Sequence, residues 1–214
     1  MTSNHSNCTP SDPHVTASFI NIGAVNAGKG DLENDLVQYQ KGLEIQTRVF
    51  GSDHPDVAKS YNDIGNVYDN QGKYEEALEV YTKSLDIKTR IYGGDNHRDV
   101  AASYNNIGVA YNRQGKYEEA LEYYQKSLEI QTRVFGSDHP DVARSYGNIG
   151  VVYDRQGQYE RALENHQKAL EIFVKVSGQD HPDVANFKEN IGLVFQQMTK
   201  KSEARLLELE WRLL

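Results

Sequence analysis

Four histidines are the residues of this chain whose type and setting could do chemistry. His54, His139 and His181 each sit in an Asp-His-Pro-Asp-Val run, and His97 sits in a close variant of it. A zinc site needs several nitrogen, sulfur or oxygen ligands converging on one ion. These histidines instead recur 42 or 43 residues apart, with no cysteine or second histidine close to any of them. A turn and helix start explains the run better. Pro55, Pro140 and Pro182 suit the first helical position, where no N–H is needed and φ is preset. Asp53, Asp138 and Asp180 are placed to cap, and Asp56, Asp141 and Asp183 to meet the positive helix N-terminus. A second lure is Gly23-Ala-Val-Asn-Ala-Gly-Lys-Gly30, close to a phosphate-binding loop, but its last residue lacks the hydroxyl that would hold Mg²⁺. The Glu-Glu pairs at 75–76 and 118–119 fall at helix starts, where acid complements the dipole. No Ser/His/Asp set or paired cleft carboxylates accompany them, so neither an enzyme nor a cofactor is expected.

The elements around these residues repeat. Leu43 to Ala58 reappears letter for letter as Leu128 to Ala143, and Gln71 to Glu79 as Gln114 to Glu122; the period is 42, or 43 where Asn96 is inserted. A fixed period in this range signals stacked supersecondary units that bury faces against their neighbours. Within one unit, Tyr104, Ile107, Gly108 and Tyr111 form a helical stripe. Gln114-Gly115-Lys116 breaks it, and Tyr117, Ala120, Leu121, Tyr124 and Leu128 form a second. So short a connection makes the two helices antiparallel neighbours. Gly65 with Ala77, Gly108 with Ala120, Gly150 with Ala162 and Gly192 with Ala204 remove bulk where the helices cross. Glycine costs up to about 1 kcal/mol inside a helix, so its recurrence calls for a packing reason.

The net charge of −8 disfavours nucleic acid and anionic membranes as partners. No apolar run reaches the eighteen residues of a membrane span. Cys8 is the single cysteine, which excludes an intramolecular disulfide and fits a reducing, cytoplasmic setting.

The recurring aromatic, Ile-Gly and Tyr stripe followed by Gly, Ala and an aromatic resembles the tetratricopeptide repeat. The lengthened unit, with Leu-Glu-Ile and then Val-Phe-Gly-x-Asp-His-Pro-Asp-Val-Ala, is similar to the cargo-binding repeats of kinesin light chains and to nephrocystin-3-like repeats. The resemblance implies an all-α, right-handed superhelical solenoid of antiparallel helix pairs over residues 13–214, behind a disordered polar tail at 1–12. Its units are about 13–52, 53–94, 95–137, 138–179 and 180–214. The first is degenerate, with Asn26 and Asp35 at the tyrosine and alanine positions, and the last is shortened. No heptad coiled coil of the kind that grips a motor subunit appears ahead of the repeats, so motor association does not follow.

In such arrays the first helices line a concave groove, and the expected function is non-catalytic recognition of a peptide segment there, as an adaptor or scaffold in the cytoplasm or on the cytoskeleton. One residue per unit precedes the Ile-Gly pair: Asn21, Asp63, Asn106, Asn148 and Asn190. Amides both donate and accept, which suits the backbone of an extended peptide. Lys59, Asn62, Asn66, Asn105, Asn112, Arg113, Arg144, Val151 and Arg155 are the neighbouring groove candidates. The arginines could pair with carboxylates, and the light chain resemblance implies acidic, aromatic-centred ligands. A competing expectation is an architectural segment that self-associates through its open ends, with an end-to-end contact through the C-terminal helix and exposed Trp211; another is a fragment of a larger repeat protein.

Overall fold

The computed structural model describes residues 32–213, with side chains from 34 to 204. Eight helices and no strand occur among the described residues: α1 Leu32–Phe50, α2 Pro55–Asn70, α3 Tyr74–Ile91, α4 Arg98–Gln114, α5 Tyr117–Phe135, α6 Pro140–Arg155, α7 Tyr159–Ser177 and α8 Pro182–Leu213. The chain divides into two compact units, residues 1–114 and 115–214. In the first, α2 packs against α1 and α3, and α3 against α4. In the second, α6 packs against α5 and α7, and α7 against α8. Asn21, the Gly23–Gly30 run, Cys8 and the side chain of Trp211 lie outside the described residues.

The helix starts follow the prolines, as Pro55, Pro140 and Pro182 each open a helix. The caps are different from those expected. The histidine ring, not the preceding aspartate, accepts the orphan N–H: Nδ1 of His54, His97, His139 and His181 takes the amide of the residue two further on, at 3.1–3.2 Å. Three of these rings also stack on the aromatic at or just after the end of the previous helix: Phe50 with His54, Tyr92 with His97, and Phe135 with His139, their centroids 4.4, 3.5 and 4.2 Å apart. With the cap position filled, Asp53 and Asp138 reach cations in the last turn of the next helix but one along the chain, Arg90 of α3 at 2.7 Å and Lys175 of α7 at 2.5 Å.

At two of the helix crossings, those of Gly65 and Gly150, the glycine makes room for a ring, a more specific reason than general closeness to the alanine. A Cβ on Gly65 would lie 2.4 Å from Tyr81, and one on Gly150 would lie 2.8 Å from His166. Ala77 and Ala162 are fully buried one turn before those rings. Tyr81 Oη donates to Asn66 Oδ1 at 2.8 Å, whereas His166 faces a helix carrying Val151 at that register.

Successive repeats are joined by a pair fourteen or fifteen residues apart. Ser60 donates to Gln46 at 2.6 Å, Lys88 to Ser103 at 2.8 Å, and Ser145 to Gln131 at 2.7 Å. At the last joint the same two positions carry Phe173 and Phe187, whose rings meet at 5.4 Å. They form a core with Ala143, Ala169 and Val184.

The last unit departs from the expected helix pair. Gly72, Gly115 and Gly157 turn the chain between the helices of the earlier repeats with φ of +74°, +81° and +69°. The corresponding residue is Thr199, and there α8 continues as one 32-residue helix.

Candidate functional site

The first-helix faces carry the candidate residues, and each unit presents its own. In the first unit the face is built from α2 and α4. Asn106 Nδ2 donates to Asn62 Oδ1 at 2.7 Å, linking neighbouring first helices through two half-buried amides. An amide has two donors and two lone pairs. With that bond made, Asn62 still offers an N–H and Asn106 a carbonyl, side by side.

Around this pair the charges are held by the protein itself. Arg113 Nη1 donates to Asp69 Oδ2 at 2.6 Å, and the Asp69 side chain is nearly covered. Burial pushes the Asp69 carboxyl above its ordinary range while Arg113 pulls it back. Asp63 is likewise pushed up by burial and opposed by Lys59 and Lys88. The Lys88 ammonium is pushed down by burial and supported by Asp99 and Asp63. Burial also raises the Tyr81 phenol, with Asp69 and Asp63 adding to the rise. Lys59 and Asn66 are exposed. Asn105 is half-buried with an interaction inside the chain. Asn112 is 8% exposed, which withdraws it from a binding face.

In the second unit α6 and α8 form the equivalent face. Gly147 stands at the register of Asn62, and Phe187 fills the space its side chain would take: a Cβ there would lie 2.6 Å from the ring. The amide pair therefore has no counterpart here. Asn148, Val151 and Asn190 are half-buried, and Arg155 is exposed. Asn148 and Arg155 already have partners. Arg144 pairs with Asp141 at 2.8 Å and Asp183 at 3.6 Å, its guanidinium 5.6 Å from the Phe173 ring centre.

Neither the bond between Asn62 and Asn106 nor the pair of Asp69 and Arg113 was legible from spacing. Each joins residues 44 apart, and only the stacking of one repeat on the next sets that register. Among the described residues, no group of three His, Cys, Asp or Glu side chains could hold a metal ion. No helix there is long and apolar enough to cross a membrane.

The tetratricopeptide repeat family model matches residues 15–90, 99–173 and 155–210. The chain belongs to the tetratricopeptide repeat family. Its fold is the all-α repeat solenoid of that family, a fold of protein-interaction modules that is generally non-catalytic. Among solved structures it is similar to BtubC (BKLC) from P. vanneervenii, with 27% identity, a TM-score of 0.76, and 90% of this chain and 79% of that chain covered. It is also similar to the nearly identical TPR-like repeats of a kinesin light chain candidate from Podosopora anserina, at 22% identity and a TM-score of 0.74, covering 96% and 95%. The apo form of RapI shares the fold at 21% identity and a TM-score of 0.73, covering 89% and 66%. No curated protein matches the chain.

Proposed function

We propose that this tetratricopeptide chain is a non-catalytic adaptor or scaffold that receives an extended peptide segment on its first-helix faces, above all on the α2–α4 face of the first unit. One observation carries the reading. The hydrogen-bonded amides of Asn62 and Asn106 hold a donor and an acceptor next to each other, half-buried and mutually fixed. That arrangement matches the alternating N–H and C=O of an extended backbone, and fixing the rotamers beforehand lowers the entropy lost on binding. Arg113 and Arg144 are engaged with Asp69, Asp141 and Asp183, so they serve first to order the face. Backbone recognition therefore leads, and preference for acidic side chains is secondary. The light chain-type adaptor role draws on the structural neighbours together with the 42-residue unit. A cytoplasmic setting agrees with the lone cysteine.

Fluorescence polarisation with an acidic, tryptophan-centred peptide and its amide-substituted neutral copy tests the proposal. Both peptides are expected to saturate with affinities within about fivefold, since exposed charge pairs add only ~1 kcal/mol or less. Asn62→Leu/Asn106→Leu should abolish both signals while helicity is kept. Binding of the acidic peptide alone, untouched by the double substitution, would move recognition to the arginines.

A further inference from the structure

Thr199 occupies the register of the turn glycines, and its side chain explains why the last helix does not fold back. A β-branched residue is strained at positive φ. Thr199 stays helical, with its Oγ1 donating to Phe195 O at 3.0 Å. Two surfaces are left open as a result. A Cβ on Gly192 would meet nothing within 4 Å, although Gly65 and Gly150 at the same register are filled by rings. Leu193 and Phe195 are 48% and 50% exposed, while Tyr68 and Tyr153, at the register of Phe195, are half-buried. Ala204 follows Gly192 by twelve residues, the spacing of Gly65 to Ala77 and of Gly150 to Ala162. Those two alanines are fully buried, and Ala204 is exposed. One straight helix thus carries both halves of a joint that it cannot close on itself.

We infer that a second copy of the chain closes it: the distal half of α8 in each protomer, from Ala204 onward, lies against the Gly192–Phe195 face of the other. The arrangement is isologous, with the two α8 helices antiparallel and both joints completed at once. A straightened hinge between two complementary halves is the geometry of segment exchange. Position 208, the register of Tyr81 and His166, is a glutamate. The exchanged joint therefore lacks the ring that fills an interior one, and the dimer is weak, with a Kd on the order of 10 μM.

Sedimentation velocity of the full chain over about 1 to 200 μM tests this, with a reversible monomer–dimer equilibrium expected. Thr199→Gly restores the turn, lets the joint close within one chain, and should raise the dimer Kd at least ~10-fold. Gly192→Leu fills the niche and should raise it similarly, with helicity unchanged. A parent that stays monomeric across the range overturns the inference. So does a dimer that neither substitution weakens, because it would be built on another surface.

Discussion

The joint between α1 and α2 and the joint between α7 and α8 solve the same problem with different chemistry. At the first, a buried hydrogen bond between Gln46 and Ser60 links the helices, and the Phe50 ring stacks on His54. At the last, Phe173 and Phe187 replace the amide and the hydroxyl, and Ser177 stands where Phe50 stands. Phe173 then does both jobs, packing on Phe187 and lying 5.5 Å from the His181 ring. Phe187 also takes the space over Gly147, which removes the amide pair that the first unit keeps as Asn62 and Asn106. The exchange teaches that these joints vary as sets. A polar joint leaves room for a polar first-helix face, and an aromatic joint takes that room.

Breaking the aromatic joint should have the largest effect. Phe173 is fully buried and serves two contacts, so Phe173→Ala is expected to cost about 3–5 kcal/mol in urea unfolding. Phe173→Gln with Phe187→Ser, which installs the interior pair, should lose less than the two single changes summed. Additive losses would show that the positions do not act as a set.

The glycine registers sharpen the contrast between closed and open crossings, because one substitution should change sign between them. Gly65→Ala drives a methyl into the Tyr81 ring and is expected to cost ~1–3 kcal/mol. Gly192→Ala meets open space and gains helix propensity, stabilising by up to ~1 kcal/mol. Thermal unfolding of both variants checks the signs.

The smallest effect concerns pH. His166 is 1% exposed at a position where the second repeat carries Tyr81, and burial pushes its ring below the ordinary 6.5, with Asp154 partly opposing. The unfolded chain therefore takes the proton first. Stability from this group is fully present above the ordinary value and falls as pH drops through it. His166→Phe should reduce the loss of melting temperature between about pH 7.5 and pH 5.5. Phenylalanine is the suitable replacement because Val151 gives a tyrosine hydroxyl nothing like Asn66 to bond.

The fold was largely legible in the sequence. The period, the stripes and the prolines placed most helices, since each of these is local. What escaped depended on geometry between repeats or on competition for one position. The histidine caps were obscured by aspartates of better intrinsic capping propensity, two of which, Asp53 and Asp138, instead reach cations at the ends of later helices. Thr199 was visible, but a lost turn glycine carries weight only once the other three are seen at positive φ. The first-helix face was legible in part: Asn62 and Asn106 were singled out, while their mutual bond and the neutralisation of Arg113 by Asp69 were not.

The central claim is that paired side-chain amides on the first unit receive a peptide backbone. Side-chain amide NMR of the full chain during titration with the neutral, tryptophan-centred peptide reads this directly. The account predicts that the Asn62 and Asn106 NH₂ resonances shift saturably and together, with Asn112 unmoved. Saturable binding that leaves Asn62 and Asn106 in place while resonances elsewhere shift would contradict it.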